Sequence, residues 1–271
     1  HSQKILFTAA DIQTLKNKQP AIASQQIYSV STGIAKHNLD QAAAQTEKRT
    51  QQLMPPGTLE LILDNQEYQN IKFDLAPDGS KIVVQRVSRK NPSDFALWVV
   101  TLDKSTAPTK LKQSGDFVIT PDSSEVAAAV GQGISIFPLA PSTSSNLDFL
   151  PKFGNVLSFT SDGTAAAMVE YTKSLFVVTN QGIEEQIFKT NGSIWDAKFS
   201  PAKDILYCLA TELKTKNNNS QEEPYLTAID IKTKKILLMI SLPIQQGIQM
   251  SLSPDGLALI FDQINGGENT N

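Results

Sequence analysis

The chain has 271 residues, of which 40% are hydrophobic, and a formal net charge of −3 at neutral pH. This length allows either two domains or one large all-β domain, and the apolar fraction is enough for a buried core. The nearly balanced charge lacks the basic footprint of a nucleic-acid-binding protein, so no nucleic-acid partner is expected. The uninterrupted apolar run at residues 236–240 is far shorter than the roughly 18 residues of a membrane-spanning helix. The single cysteine, Cys208, excludes an internal disulfide.

The first part of the chain predicts a strand followed by a short helix. Residues 4–7 are apolar enough for a short strand. Thr8 and Asp11 have the spacing of a capping box, in which side chains satisfy the backbone amides at a helix start. Pro20 would end that helix, since proline lacks the N–H that a helix interior needs.

Two strands and a helical insert are predicted before the repeats begin. Residues 25–31 and 58–63 carry strand-forming side chains. Residues 38–54 between them predict a helix, because Asn38 can cap its start, alanines favour its middle and two prolines follow it. Its apolar stripe is thin, so we expect this insert to lie on the outside of the main body.

From residue 71 onward, one hairpin motif recurs along the chain. Each copy has an apolar residue, a small residue, proline or serine, usually aspartate, and then glycine or a polar residue. The copies recur at intervals of about forty residues, which is typical of repeat architectures. Proline and glycine suit the φ angles of a turn, so each copy predicts a hairpin between two antiparallel strands. The third position of the motif is Pro77, Pro121, Ser161, Pro201 and Pro254.

Each repeat has room for four short strands, which predicts the blades of a β-propeller. A polar insert, residues 214–223, lengthens the fourth repeat and is expected to form a solvated loop between its second and third strands. The predicted fold class is therefore all-β: a β-propeller of four-stranded antiparallel blades, with the small helical insert near the N-terminus. The four complete blades are residues 71–113, 114–152, 155–190 and 193–243.

The two ends of the chain predict a shared fifth blade. Residues 247–264 supply only a first and a second strand, while residues 25–31 and 58–63 resemble a third and a fourth. Joining them would close one domain over residues 1–271 and leave no exposed sheet edge. The alternative is a segment of a longer propeller with more blades, since six to eight are common.

The hairpin motif and the third strands resemble those of TolB-type propeller repeats, which are related to WD-repeat blades. The resemblance covers about residues 58–264, and it is specific to architecture and not to activity. No repeat has the Gly-His or Trp-Asp signature of WD repeats, and Ala202-Lys203 replaces Asp-Gly in one copy. The resemblance implies a protein partner bound at one face of the ring. The segments that carry it are residues 76–79, 101–103, 229–231 and 253–256.

Candidate binding residues come from the predicted first strands, which surround the central channel of a propeller. Alignment of the repeats brings Lys72, Asp116, Asp196 and Gln249 to one position near the channel mouth. Trp195 beside them is a candidate ligand platform, although a large ring in a β-rich body is more often part of the core. Two aspartates on separate blades also allow the carboxylate pair of a glycoside hydrolase. More commonly, such a carboxylate meets backbone N–H groups or a nearby lysine.

The chain has few of the residues and motifs that other classes of enzyme require. His1 and His37 are the only histidines and lie outside the repeats, so neither a Ser-His-Asp triad nor a multi-histidine metal site is expected. No Gly-x-Ser-x-Gly motif occurs. The repeated aspartates of the hairpin motif belong to the turns themselves. The sequence therefore predicts no cofactor and no metal.

The sequence favours a non-enzymatic binding scaffold with a protein partner, in the periplasm or elsewhere in the cell envelope. The many Gln, Asn, Ser and Thr residues, with modest charge, suit such a location. The chain begins at His1 without a signal peptide, which predicts that a targeting or membrane-anchoring segment has been removed. Two alternatives stay open: a carbohydrate-active or lyase-type propeller enzyme that uses Asp116 and Asp196, and an extracytoplasmic sensor domain of a larger membrane-anchored protein.

Overall fold

The regular structure of the protein is β-strand wherever the computed structural model describes it, which confirms the all-β fold class. In the described part of the chain, no helix is long and apolar enough to cross a membrane. The predicted helical insert, residues 38–54, lies outside the described residues. The described residues are 4–14, 20–31, 57–139, 147–216, 219–244, 248, 250–253 and 255–261.

The chain divides into two compact units, residues 1–73 with 84–110 and residues 74–83 with 111–271. Apart from the hairpin tip at residues 74–83, the first unit holds the strands β1 (Lys4–Thr14), β2 (Pro20–Ser31), β3 (Leu59–Leu63), β4 (Tyr68–Leu75), β5 (Lys81–Ser88), β6 (Phe95–Thr101) and β7 (Thr109–Lys110). They form two sheets, in the orders β1-β2-β3 and β4-β5-β6-β7. In each sheet, strands that follow one another in the chain are neighbours.

The second unit repeats this arrangement of consecutive strands as neighbours. Its described strands are β8 (Phe117–Ile119), β9 (Glu125–Val130), β10 (Gly133–Pro138), β11 (Asn155–Phe159), β12 (Ala165–Glu170), β13 (Ser174–Thr179), β14 (Glu184–Lys189), β15 (Ile194–Phe199), β16 (Ile205–Lys216), β17 (Asn219–Asp230), β18 (Ile236–Ser241), β19 (Met250–Leu252) and β20 (Leu259–Phe261). The sheets are β8-β9-β10, β11-β12-β13-β14, β15-β16-β17-β18 and β19-β20, with antiparallel pairing throughout.

The core of the second unit lies between neighbouring sheets. Ala167 and Leu175 of one four-stranded sheet pack in one buried cluster with Leu206 and Cys208 of the next. The second strand of the earlier sheet, β12, is buried on both faces and begins with three alanines, whose small side chains allow the sheets to approach closely. Burial of this apolar surface stabilises the packing by about 25 cal/mol per Å².

The recurring hairpins share one backbone conformation at one position. The residue two places after the motif's third position has a positive φ in every copy, a conformation that glycine adopts without steric cost. Polar residues take this place where the motif lacks glycine. The residues are Gly79 (71°), Ser123 (62°), Gly163 (71°), Lys203 (62°) and Gly256 (73°).

Within the second unit, successive hairpin turns touch one another. The first touches the second through a hydrogen bond, and a Cβ added at Gly163 of the third would lie 4.0 Å from the Pro121 ring of the second. The third touches the fourth through an ion pair, and the fourth packs against the fifth. The turns therefore form a continuous row, as expected when each repeat is placed beside the previous one in the same orientation. The contacts are Asp78 N–H to Ser123 Oγ at 3.0 Å, Asp162 with Lys203, and Pro201 against Gly256, where an added Cβ would overlap the proline ring.

The prediction of a short helix between Thr8 and Pro20 is wrong, because β1 and β2 form an antiparallel pair over this segment. Their ladder runs from Lys4 opposite Ser31 to Thr14 opposite Pro20, with one irregularity after Asp11. Pairing with β2 gives one edge of β1 main-chain hydrogen bonds along its whole length, and this outweighs a local capping signal.

The predicted solvated loop at residues 214–223 is also wrong in its conformation. β16 continues to Lys216 and β17 starts at Asn219, so the polar insert extends the hairpin as a two-stranded arm. Lys214 pairs with Glu223 at 2.7 Å across this arm. Polar side chains on both faces let the paired strands project into solvent.

The two parts of the predicted shared blade lie in two separate sheets, β1-β2-β3 and β19-β20. Tyr28 of β2 lies opposite Leu61 of β3, so these two strands pair as expected. Met250 of β19 lies opposite Phe261 of β20 in a separate two-stranded sheet. Both edges of β2 are already paired, with β1 and with β3. Joining of the two sheets into one blade stays a prediction.

Candidate functional site

Asp196, one of the two aspartates proposed for a channel-mouth site, is held by the strands around it. Its Oδ1 lies 3.1 Å from Lys198 Nζ and accepts a hydrogen bond from the Ala197 N–H at 2.8 Å. Its Oδ2 accepts a hydrogen bond from the Met250 N–H at 3.3 Å. Lys198 donates in turn to the carbonyl of Leu157 at 3.4 Å. The pair therefore ties β11, β15 and β19 together, which is a structural role.

The remaining candidates occupy different parts of the chain. Trp195 is half-buried and packs against a buried apolar cluster that includes Leu209 and Met250. Asp116 is exposed and directly precedes β8, on a different sheet from Asp196. Lys72 is half-buried on β4, in the first unit. Gln249 lies outside the described residues.

The repeated aspartates serve the hairpin turns, as predicted. Asp122 accepts hydrogen bonds from Thr120 Oγ1 at 2.6 Å and from Ser124 Oγ at 2.7 Å. The Lys203 ammonium, with the hydroxyls of Thr164 and Thr160, holds the pKa of the Asp162 carboxyl far below its usual range. In the described residues, no group of three or more His, Cys, Asp or Glu side chains is placed to hold a metal ion.

A different surface of the second unit has the character of a binding site. We call the six residues of β18, Ile236–Ser241, the apolar edge strand. The exposed fractions of its five large side chains lie between 45% for Ile240 and 55% for Leu237. It contains no charged residue, and no described strand pairs with its outer edge. Exposed apolar surface of this kind usually marks an interaction site.

A pocket of about 250 Å³ opens beside the apolar edge strand. Met239 of the strand lines it together with Tyr225 of β17. These two side chains share a face, because Met239 lies opposite Thr227, two residues from Tyr225. We call this space the rim pocket. It is lined by Phe188, Lys189, Thr190, Asn191, Glu212, Tyr225 and Met239.

Polar groups at the rim pocket are held in fixed positions. The Tyr225 hydroxyl donates to Thr190 Oγ1 at 3.3 Å, and Thr190 Oγ1 donates to the carbonyl of Thr211 at 2.5 Å. Burial raises the pKa of Tyr225, so the phenol is a neutral hydrogen-bonding group at neutral pH. Asn191 donates its side-chain N–H to the carbonyl of Leu213 at 3.3 Å.

The chain between β14 and β15 approaches the projecting arm closely. A Cβ on Gly192 would overlap the backbone carbonyl of Thr211, so only glycine fits at this point. Thr211 Oγ1 accepts a hydrogen bond from the Ser193 N–H at 2.7 Å and donates to Glu222 Oε2 at 2.8 Å. These contacts fix the wall of the rim pocket to the β16–β17 hairpin.

The sequence contains a signal for the apolar edge strand, but the pattern does not mark it as a binding site. The run at residues 236–240 is continuously apolar, which is also the pattern of a buried strand. Only the strand order shows that it is the last of its sheet and is exposed on both faces. The rim pocket combines residues from four strands and the connection after β14, and no sequence pattern announces it.

Solved structures share this fold. TolB from Acinetobacter baumannii matches at a TM-score of 0.52 and 15% sequence identity, over 90% of this chain and 52% of that chain. A chain assigned as TolB from Agrobacterium tumefaciens matches at a TM-score of 0.50 and 10% identity, over 89% of this chain and 83% of that chain. No family model matches the sequence, and neither does any curated protein.

The chain has the TolB-like β-propeller fold, as the hairpin repeats predicted. It spans about half the length of the Acinetobacter baumannii TolB chain. At these identities the likeness concerns architecture, and function has to be argued from the surface features of this chain.

Proposed function

We propose that this TolB-like propeller is a non-enzymatic binding scaffold that holds a protein partner in the periplasm. The apolar edge strand carries the proposal. Five neighbouring large apolar side chains about half exposed to solvent are costly for an isolated protein, since such an edge promotes aggregation. A partner that covers them would remove that cost and gain the hydrophobic free energy of their burial.

The rim pocket supports the same surface. Binding sites for proteins combine an apolar centre with a few fixed polar groups at the edge. Tyr225 and Asn191 are such groups, and both are held by hydrogen bonds before any partner arrives. Pre-organised groups lose little conformational entropy on binding.

Two observations favour a scaffold over a glycoside hydrolase. The Asp196 carboxylate already meets an ammonium and two backbone N–H groups, so it is poorly suited to act as a free base or nucleophile. Asp116 directly precedes β8 of another sheet and is exposed to solvent, so the two carboxylates are not held together on one sheet. The periplasmic location rests on the composition and on the likeness to TolB structures.

Site-specific photocrosslinking tests the scaffold function. A photoreactive phenylalanine analogue is introduced at Leu237 on the apolar edge strand, with Ile183 as a matched control, because both side chains are 55% exposed. With an envelope fraction of the source organism, we expect one discrete crosslinked protein from the Leu237 position and none from Ile183. Equal crosslinking at both positions, or none at either, would contradict the proposal.

Hydrolysis of envelope glycans tests the enzyme alternative. We expect the native protein to release no sugar product from a panel of such glycans. Product formation that is lost in both Asp116→Asn and Asp196→Asn would overturn the scaffold function in favour of a carbohydrate-active enzyme.

A further inference from the structure

We infer that the apolar edge strand binds an extended peptide segment of the partner as an added β-strand, and that this segment has acidic residues at the end that meets the turn at residues 232–235. The inference rests on the proposed scaffold function and specifies the chemistry of the partner. It follows from the edge position of β18, the exposure of its two faces, the adjacent rim pocket and the charge of the preceding turn.

The edge position of β18 offers backbone groups for pairing. It is the last strand of the sheet β15-β16-β17-β18, and no described strand lies on its outer side. Sheet edges in folded proteins are usually protected by charges, prolines or bulges that face the free side. Residues 236–241 contain no charge and no proline, and the one irregularity in the β17–β18 ladder, between Ala228 and Ile229, leaves Leu238–Ser241 in regular pairing. An extended peptide would pair with this edge through main-chain hydrogen bonds.

Both faces of the apolar edge strand can contribute to binding. Leu238 lies opposite Ala228 and Met239 lies opposite Thr227, so these neighbouring side chains point to opposite faces of the sheet. Leu238 is 47% exposed and Met239 is 53% exposed. An added strand alternates its own side chains in the same way, and apolar residues at successive positions would cover the two faces together.

The rim pocket lies on the face of the apolar edge strand that carries Met239. Met239 forms part of its wall, so a side chain of the added strand on that face lies next to the opening. In strand addition, main-chain hydrogen bonds supply affinity and pockets for alternate side chains supply specificity. The pocket therefore selects among extended segments that could all pair with the edge.

The turn before β18 indicates the charge of the partner. Lys232, Lys234 and Lys235 are all exposed there. Lys234 Nζ pairs with Glu185 at 2.6 Å, and Asp230 accepts hydrogen bonds from Thr233. Among the described residues Lys232 and Lys235 form no ion pair, which leaves an excess of unpaired positive charge at this turn. Acidic residues in the added strand would complement this excess, which favours an acidic end at this position.

This charge pattern disfavours a second copy of the same chain as the occupant. Antiparallel pairing of β18 with itself about a two-fold axis would place each lysine turn opposite the far end of the partner's strand. That end, residues 241–243, reads Ser-Leu-Pro and has no carboxylate. Self-association would leave the lysines without matching charge.

Fluorescence anisotropy with synthetic peptides tests the inference. The probe is a short labelled peptide that alternates valine with threonine and ends in aspartates. The controls are the same peptide with terminal lysines and one with prolines at alternate positions, which cannot pair as a strand. We expect saturable binding of the acidic probe, roughly tenfold weaker binding of the lysine version, and none of the proline version.

Protein variants assign the binding to the apolar edge strand. Leu238→Lys introduces a charge on the strand, and we expect it to weaken binding of the acidic probe at least roughly tenfold. Ile5→Lys introduces the same charge at another exposed apolar residue, on the edge strand β1, and should leave binding unchanged. Circular dichroism melts of both variants show whether the fold is kept. Equal binding by both folded variants would overturn the inference.

Other outcomes separate this inference from the scaffold function. Failure of the native chain to bind the acidic probe, together with a discrete crosslink at Leu237, would overturn strand addition and leave the scaffold function standing. Sedimentation that reveals a dimer lost in Leu238→Lys would assign the strand to a second copy and would also overturn the inference. Loss of both the crosslink and the peptide binding would contradict both proposals.

Discussion

The outer strands of two neighbouring sheets, β14 and β18, occupy the same place in the topology and have opposite surfaces. Each pairs antiparallel with the third strand of its own sheet. β14 reads Glu-Glu-Gln-Ile-Phe-Lys and buries Ile187 while its charged residues face solvent. β18 reads Ile-Leu-Leu-Met-Ile-Ser and is exposed at every position.

The comparison with β14 indicates that a fourth strand needs few buried apolar side chains to complete its sheet. β14 completes its sheet with one anchoring residue and a protected, charged edge, as is usual for edge strands. β18 completes its sheet with the same number of residues and an unprotected edge. The exposed apolar surface of β18 is therefore available for a partner. Substitutions can test whether β14 is held by its buried Ile187 while the side chains of β18 contribute little to stability.

The largest effect should come from the anchor of β14. Ile187 is only 5% exposed, and Ile187→Ala should reduce the free energy of unfolding by about 2–4 kcal/mol, because it leaves a cavity in the core. Leu238→Ala on β18 should cost less than about 1 kcal/mol, since that side chain is already half in water. Urea denaturation of both variants measures the two values. Equal losses would mean that β18 is an anchor as well.

The connection after β14 should show a smaller effect. Gly192→Ala places a Cβ against the backbone of Thr211 and should reduce stability by about 1–3 kcal/mol, because neither chain segment can move freely. The change should also weaken partner binding by displacing the wall of the rim pocket. Gly182→Ala is a useful contrast, because its Cβ meets nothing while its φ of +77° still disfavours alanine. A larger loss of partner binding in Gly182→Ala than in Gly192→Ala would contradict this account.

The inner strand of the β15–β18 sheet should be moderately sensitive to a charge change. Asp196→Asn removes the ion pair with Lys198 and should reduce stability by about 1 kcal/mol, because this pair is partly screened from water. Glu212→Gln in the exposed pair with Lys214 should have almost no effect. Thermal melts of the two variants at neutral pH compare them. Unchanged stability in Asp196→Asn would argue that the aspartate is kept for another purpose.

The smallest effect should be the acid response of one hairpin turn. The Lys203 ammonium and two threonine hydroxyls lower the pKa of Asp162 in the folded chain. A lowered folded pKa means that the stabilisation is present above the unfolded value of about 3.9 and is lost as pH falls toward the folded value. The melting temperature of the native chain should therefore drop more between pH about 7 and pH about 3 than that of Asp162→Asn. Identical drops would show that the turn contributes nothing to acid sensitivity.

The repeats were predictable because each hairpin is a local event. A motif of five residues determines a turn whose φ angles depend only on its own residues, and the recurrence of that turn determines the architecture. The positive φ at Gly79 and at Ser123 illustrates this, since both follow the motif and not the neighbourhood. The structural role of the repeated aspartates followed from the same local chemistry.

The second part of β1, residues 8–14, and the arm were not predictable in this way. The Thr8 capping signal favours a helix locally, and only the ladder with β2 overrides it. The polar residues 214–223 carry no strand pattern, and only the register between β16 and β17 pairs them. In both cases the partner strand lies elsewhere in the chain, and a local pattern carries no information on its presence.

For the candidate site too, local features could be predicted from the sequence, whereas contacts between strands could not. The sequence alone determined that strands of this chain fold as repeated hairpins, that Asp196 lies on a first strand, and that residues 236–240 are apolar. The tertiary structure was needed to show that the Asp196 carboxylate pairs with Lys198 and accepts a hydrogen bond from the Met250 N–H. It was also needed to show that the apolar run lies at a sheet edge and not in a core. The reason is physical: turn conformation depends on neighbours in sequence, while exposure and pairing depend on which strands pack alongside.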